Sequence, residues 1–272
     1  MLNGISDFGQ AVACPFVVSG TWDFRLALFG HTFRTPAFGM VRESLRLIRE
    51  ALPHDHEEYN PELPVLNVLI AGDSGPYVGA SKSHGLTGRL ATRLNSFNPR
   101  IKTAVKAGRT IAETAEALSG ISEHFSLVIL MVGTNDAFRH WKTQPLDRNY
   151  SRLLSNARAL LQEAKRVADH VLIIYPPDLG CSPFFGSNEF LKERMTFRSW
   201  FVRQALREAR KECNVLRVDL FRISQVPQLR QDWGKKFAAT DMFHLGDDGF
   251  DLIARLVCNE LARKRIVPLH RK

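Results

Sequence analysis

The stretch VLNVLIAGDSGPYVGASKSHGL, from Val65 to Leu86, decides how this chain folds. Its apolar run, Val65–Ala71, has the length of a buried strand and ends abruptly in Gly72-Asp73-Ser74-Gly75. A tight turn into a helix accounts for the glycines. A nucleophile held at the carboxyl edge of a parallel sheet accounts for the hydroxyl and the carboxylate as well. The rest of the chain separates these two readings.

From Pro64 onward, apolar runs of strand length alternate with longer helical patterns. The predicted strands are Val65–Ala71, Ile101–Val105, Leu127–Val132, His170–Tyr175 and Val215–Asp219. The clearest helix between them is Asn149–Val167, where Leu153, Leu154, Ala157, Leu160, Leu161, Ala164 and Val167 recur on one face. Thr110-Ile111-Ala112-Glu113 is a capping box that starts another helix just after Gly108. Such alternation implies a parallel sheet with helices on both faces. Ligands then bind beyond the carboxyl ends of the strands, so the loops after each strand are the ones to read.

Those loops carry chemistry. The first is Gly72-Asp73-Ser74, the second Lys106-Ala107-Gly108, and the third Gly133-Thr134-Asn135-Asp136. The last, before an apolar C-terminal helix, is Asp241-Met242-Phe243-His244. Together, in this order and over Val65–Leu261, they resemble the SGNH (GDSL-type) hydrolase family. Gly75 stands where the family has leucine, Lys106 where asparagine or serine is frequent, and Leu245 where proline follows the histidine. None of these departures removes a catalytic atom.

The resemblance implies a three-layer α/β/α sandwich with a flavodoxin-like sheet, to which the amphipathic pattern ahead of Pro64 adds a helical N-terminal extension. It implies serine hydrolysis of a carboxylic ester or thioester through an acyl-enzyme, without metal or cofactor. The rivals are acyl transfer to a sugar hydroxyl or glycan O-deacetylation with the same residues, and a non-catalytic binding module on the same fold. Ser74 is the expected nucleophile. A serine hydroxyl needs a base to take its proton, a task suited to His244, with Asp241 near enough in sequence to orient the ring. Charge developing on the acyl oxygen needs prepositioned donors. The resemblance assigns these to the backbone N–H groups of Ser74 and Gly108 and to the Asn135 amide. Asp73 and Asp136 read as loop-shaping acceptors. Phe184 and Phe185, within the aromatic stretch Pro176–Phe201, are expected either to wall an acyl pocket or to cover the flank of the sheet.

Composition narrows the remaining classes. The chain has 272 residues, 44% of them hydrophobic, enough for a substantial core without disulfides. Four cysteines, Cys14, Cys181, Cys213 and Cys258, lie far apart and read as free thiols. The run His54-Asp55-His56-Glu57-Glu58 reads as a polar linker and not a metal site. Net charge is +9, yet basic residues such as Arg203, Arg207, Arg210 and Lys211 are spread along helices. They read as a solvated face, and nucleic acid is not an expected partner. No apolar run reaches the ~20 residues of a spanning helix. Asp7 precedes the apolar Ala11–Ser19 and no Lys or Arg opens the chain, so the expected compartment is the cytoplasm. Residues 1–63 form the expected extension, with an amphipathic helix near Phe38–Leu52 and a linker, ahead of a hydrolase domain over 64–272. Oligomeric state is not legible.

Overall fold

A computed structural model describes residues 65–73, 85–138, 150–233 and 244–267, with four two-residue strands near the N-terminus. The chain divides into two units, Met1–Arg49 and Glu50–Lys272. In the first, β1 (Val17–Val18) pairs antiparallel with β2 (Thr21–Trp22), and β3 (Phe24–Arg25) with β4 (Thr32–Phe33). The helix expected near Phe38–Leu52 and the linker up to residue 63 lie outside the described residues.

The second unit holds five parallel strands, β5 (Asn67–Gly72), β6 (Arg100–Val105), β7 (Phe125–Met131), β8 (Ala168–Tyr175) and β9 (Leu216–Asp219). Their spatial order is β6-β5-β7-β8-β9, which is the flavodoxin-like order. Every predicted strand forms, with no end moved by more than two residues. The middle strands are apolar almost throughout because helices cover both of their faces. Edge strand β6 instead carries exposed Arg100 and Lys102, charges that discourage further strand pairing.

Successive side chains of each strand point to opposite faces. On one face Leu69, Ala71, Val128, Leu130, Val171 and Ile173 pack into one cluster with residues of three long helices and with Ala137. These helices are α2 (Ile111–Ser119), α4 (Tyr150–Arg166) and α5 (Glu189–Lys211). The alternate residues Val68, Ile70, Leu127, Ile129, Leu172 and Ile174 are equally buried. Helices α1 (Gly85–Arg93) and α8 (Asp247–Arg263) pack against each other, with Leu86, Leu90, Phe250 and Ile253 buried. Short helices α3 (Thr134–Phe138), α6 (Leu220–Ser224) and α7 (Pro227–Asp232) are also among the described residues. The capping box forms as expected: Glu113 N–H donates to Thr110 Oγ1 at 3.3 Å, and Thr110 N–H to Glu113 Oε2 at 2.7 Å.

One sequence expectation fails here. Arg203 is not on a solvated face but only 7% exposed. Its guanidinium grips Asp219 at 2.9 and 2.7 Å and lies 5.5 Å over the Phe221 ring. The end of β9 and the start of α6 lie against that side of α5. Arg207 and Lys211 are exposed as expected.

The topology also locates a crevice. From β5 the chain moves to β6 on one side, then returns to β7 on the other. A sheet of this kind opens beyond the carboxyl ends of the two strands where the direction reverses, β5 and β7.

Candidate active site

Gly72 closes β5 with φ of 150°, a backbone region that side chains avoid. A methyl group there would lie 1.9 Å from the Met131 carbonyl oxygen, so the end of β5 and the end of β7 can meet only at glycine. The next amide, Asp73 N–H, donates to that same oxygen at 3.2 Å, and Asp73 is buried. The strand thus delivers the chain to Ser74 from a tightly held base. Ser74 itself lies outside the described residues, as does Asp241.

The second station is stitched to the first. Lys106 N–H donates to the Gly72 carbonyl at 3.2 Å, and Arg109 N–H closes a turn onto the Lys106 carbonyl at 3.2 Å. Gly108 is the third residue of that turn and has φ of 75°, which favours glycine.

The third station reaches across to the second. Gly133 has φ of 102°, and a methyl group on it would meet Val202 Cγ1 of α5 at 2.8 Å. Its carbonyl accepts Ala137 N–H at 3.0 Å, so Asn135 and Asp136 stand in the first turn of α3 and not in an open loop. The Asn135 amide donates to the Arg109 carbonyl at 3.1 Å. Its second amide hydrogen can serve a ligand. Asp136 Oδ2 accepts Ile111 N–H at 3.0 Å. Asp136 is therefore the loop-shaping acceptor expected of it. Burial pushes its carboxyl up from 3.8 to about 7. The Ile111 bond opposes that shift, and the Asp73 carboxylate adds to it. From the far side, buried Arg198 of α5 donates to the Ala137 carbonyl at 2.5 Å.

His244, at the fourth station, is half-buried and stands three residues before α8. Ion pairs Arg89–Asp247 at 3.5 Å and Arg93–Asp251 at 2.7 Å tie the start of α8 to α1, which lies C-terminal to Ser74 in the chain. The elements flanking the expected nucleophile and base are thereby held together. Sequence reading missed these clamps, as it missed Arg198.

It also missed a buried carboxylate at the end of β8. Asp178 is fully buried, accepting Gly180 N–H at 2.8 Å and the Gln225 amide, while its own N–H donates to Ser224 at 2.9 Å. The only local signal is the placement of Asp178 just after a predicted strand. This network anchors the segment leading to Phe184 and Phe185, whose rings meet edge to face at 5.4 Å. Phe185 packs against the core cluster, whereas Phe184 is 53% exposed. The aromatic stretch therefore divides, with Phe185 and Phe201 against the core and Phe184, Phe190 and Phe197 facing outward.

Among the described residues no group of three His, Cys, Asp or Glu side chains is placed to hold a metal ion. No described helix is long and apolar enough to cross a membrane. Cys181, Cys213 and Cys258 are half-buried and in no disulfide.

Residues 37–252 match the GDSL-like lipase/acylhydrolase family. No curated protein matches the chain by sequence. Among solved structures, a variant of Axe2, an acetyl-xylooligosaccharide esterase of Geobacillus stearothermophilus, is similar with a TM-score of 0.56 and 16% identity. That match covers 72% of this chain and 94% of Axe2. LAE5, an α/β hydrolase enzyme from the metagenome of Lake Arreo, Spain, also gives 0.56 and 16%, covering 73% and 95%. The acetyl xylan esterase AlAXEase gives 0.53 and 18%, covering 71% and 98%. At such identities the likeness is one of fold.

Proposed function

The chain belongs to the GDSL-like lipase/acylhydrolase family, whose chemistry is ester hydrolysis, and we propose that here it runs through an acyl-enzyme on Ser74. Ser74 Oγ attacks the ester carbonyl while His244 takes its proton and Asp241 steadies the imidazolium. The oxyanion is held by the N–H groups of Ser74 and Gly108 and by the Asn135 amide. Collapse expels the alcohol, which leaves with the proton from His244. Water, deprotonated by His244, then attacks the acyl-enzyme and releases the carboxylic acid.

The observation that carries this reading is the hydrogen bond that joins the Asn135 amide, after β7, to the Gly108 turn, after β6, at the carboxyl edge of the sheet. A fluorophosphonate probe tests it. Wild-type protein should be labelled at Ser74, as mapped by mass spectrometry, and Ser74→Ala should stay unlabelled. An adduct on another serine would overturn the assignment.

A panel of p-nitrophenyl esters and acyl thioesters from acetyl upward addresses the acyl group. Phe184→Ala should shift the chain-length optimum with little loss of stability, because its ring is exposed. Phe185→Ala should lower the melting temperature, because its ring packs on the core. An unchanged profile in Phe184→Ala removes that ring from the pocket.

A second reading, removal of O-acetyl groups from a glycan, is favoured by the names of the matched acetylxylan esterases. Acetate released from acetylated xylo-oligosaccharides faster than from p-nitrophenyl acetate would select it. Acyl transfer to a sugar would instead yield a new ester and no free acid.

A further inference from the structure

We infer that Asp136 is a positioning residue that sets the distance between the Gly108 N–H and the Asn135 amide, an inference that rests on the oxyanion roles proposed above. The two donors come from loops after β6 and β7, strands that do not touch because β5 runs between them. Two strand spacings, about 10 Å, separate the two strand ends. Two consecutive side chains span that gap: Asn135 to the Arg109 carbonyl at 3.1 Å, and Asp136 from Ile111 N–H at 3.0 Å.

These bonds are not equivalent. The Asn135 bond belongs to the amide proposed to bind the oxyanion through its second hydrogen, so any shift of that amide during turnover disturbs it. The Asp136 bond lies apart from that group and remains when the amide is engaged. Its donor is available for a definite reason. The first amides of α2 have no partner inside the helix. The capping box satisfies Thr110 and Glu113 through each other's side chains, and Ile111 N–H is taken by Asp136. An acceptor carboxyl at a helix start is favourable in itself. Asp136 therefore grips the residue three places beyond Gly108 while standing next to Asn135 on its own rigid turn.

A residue that only stabilised α2 would change the melting temperature and leave the reaction alone. A positioning residue changes kcat with little change in KM, because the ground-state carbonyl uses the donors weakly. Asp136→Ala should lower kcat by roughly ten- to a hundredfold, short of the loss of a whole oxyanion donor, with KM within about twofold. Asp136→Asn keeps an acceptor oxygen and should recover kcat to within about threefold of wild type.

Ile111→Pro removes the same bond from the donor side. Proline is tolerated at the first helical position, and Thr110 already has the extended backbone that a following proline requires. Compared with Ile111→Val, it should show the kcat loss of Asp136→Ala, and it serves should the alanine variant not fold. Amide exchange in wild type and Asp136→Ala should differ at residues 106–111 and agree in β7 and β8. Wild-type kcat in both bond-deleting variants, or faster exchange throughout the sheet, would overturn the inference. Wild-type protein that neither hydrolyses p-nitrophenyl acetate nor takes the probe would instead remove the acyl-enzyme reading. The exchange comparison would still judge the bridge.

Discussion

At Asp136 burial outweighs the Ile111 hydrogen bond, so the folded carboxyl titrates at about 7 against an ordinary value of 3.8. A folded pKa above the unfolded one means that the folded state binds the proton more tightly. The resulting stability is fully present below about pH 4 and is lost as pH rises through about 7. Asp136→Asn cannot ionise. Its melting temperature should therefore gain on wild type as pH rises from about 4 to about 7 and level off above that, and a constant difference across this range would show that no buried charge forms. Gly72 makes a second prediction at this scale. With φ of 150° and only 1.9 Å to the Met131 oxygen, Gly72→Ala must open the junction of β5 and β7. A loss of about 3 kcal/mol or more, read as a fall in soluble yield or denaturation midpoint, is expected. Wild-type stability would mean that the strand ends can part.

Among the elements, α5 shows where local pattern misleads. Arg203 sits in a helix rich in basic residues, which reads as solvated, but its partner Asp219 lies sixteen positions away at the end of β9. Asp219 also accepts Arg222 N–H at 3.3 Å and so caps α6. Removing one member of a buried pair leaves the other charge uncompensated. Asp219→Ala should cost about 3–5 kcal/mol. For a chain of this size that lowers the melting temperature by roughly 2–4 °C per kcal/mol. Turnover of the remaining folded enzyme at low temperature should be unchanged. Loss of kcat without loss of stability would place the pair in the reaction. The strands, by contrast, were legible because a parallel strand covered on both faces is apolar nearly end to end.

Over the whole molecule, the excess of nine positive charges invites a reading as a nucleic-acid binder. Several of the basic groups are already engaged, Arg93 with Asp251, Arg158 with Glu212, Arg203 with Asp219 and Lys102 with Glu123. A gel shift at low and moderate ionic strength should show no complex, and a complex that dissolves with added salt would show that the basic surface binds phosphates. The alternation of strands and helices, the capping box at Thr110 and the order of the four loop motifs all follow from residue type and local spacing, and each could be read along the chain. The placement of β5 between β6 and β7, the reach of Asp136 to Ile111 and the burial of Arg203 could not. Each depends on which distant segments lie side by side. Periodicity reports which way a side chain faces within its own element, and contacts between elements arise only when the sheet has chosen its order.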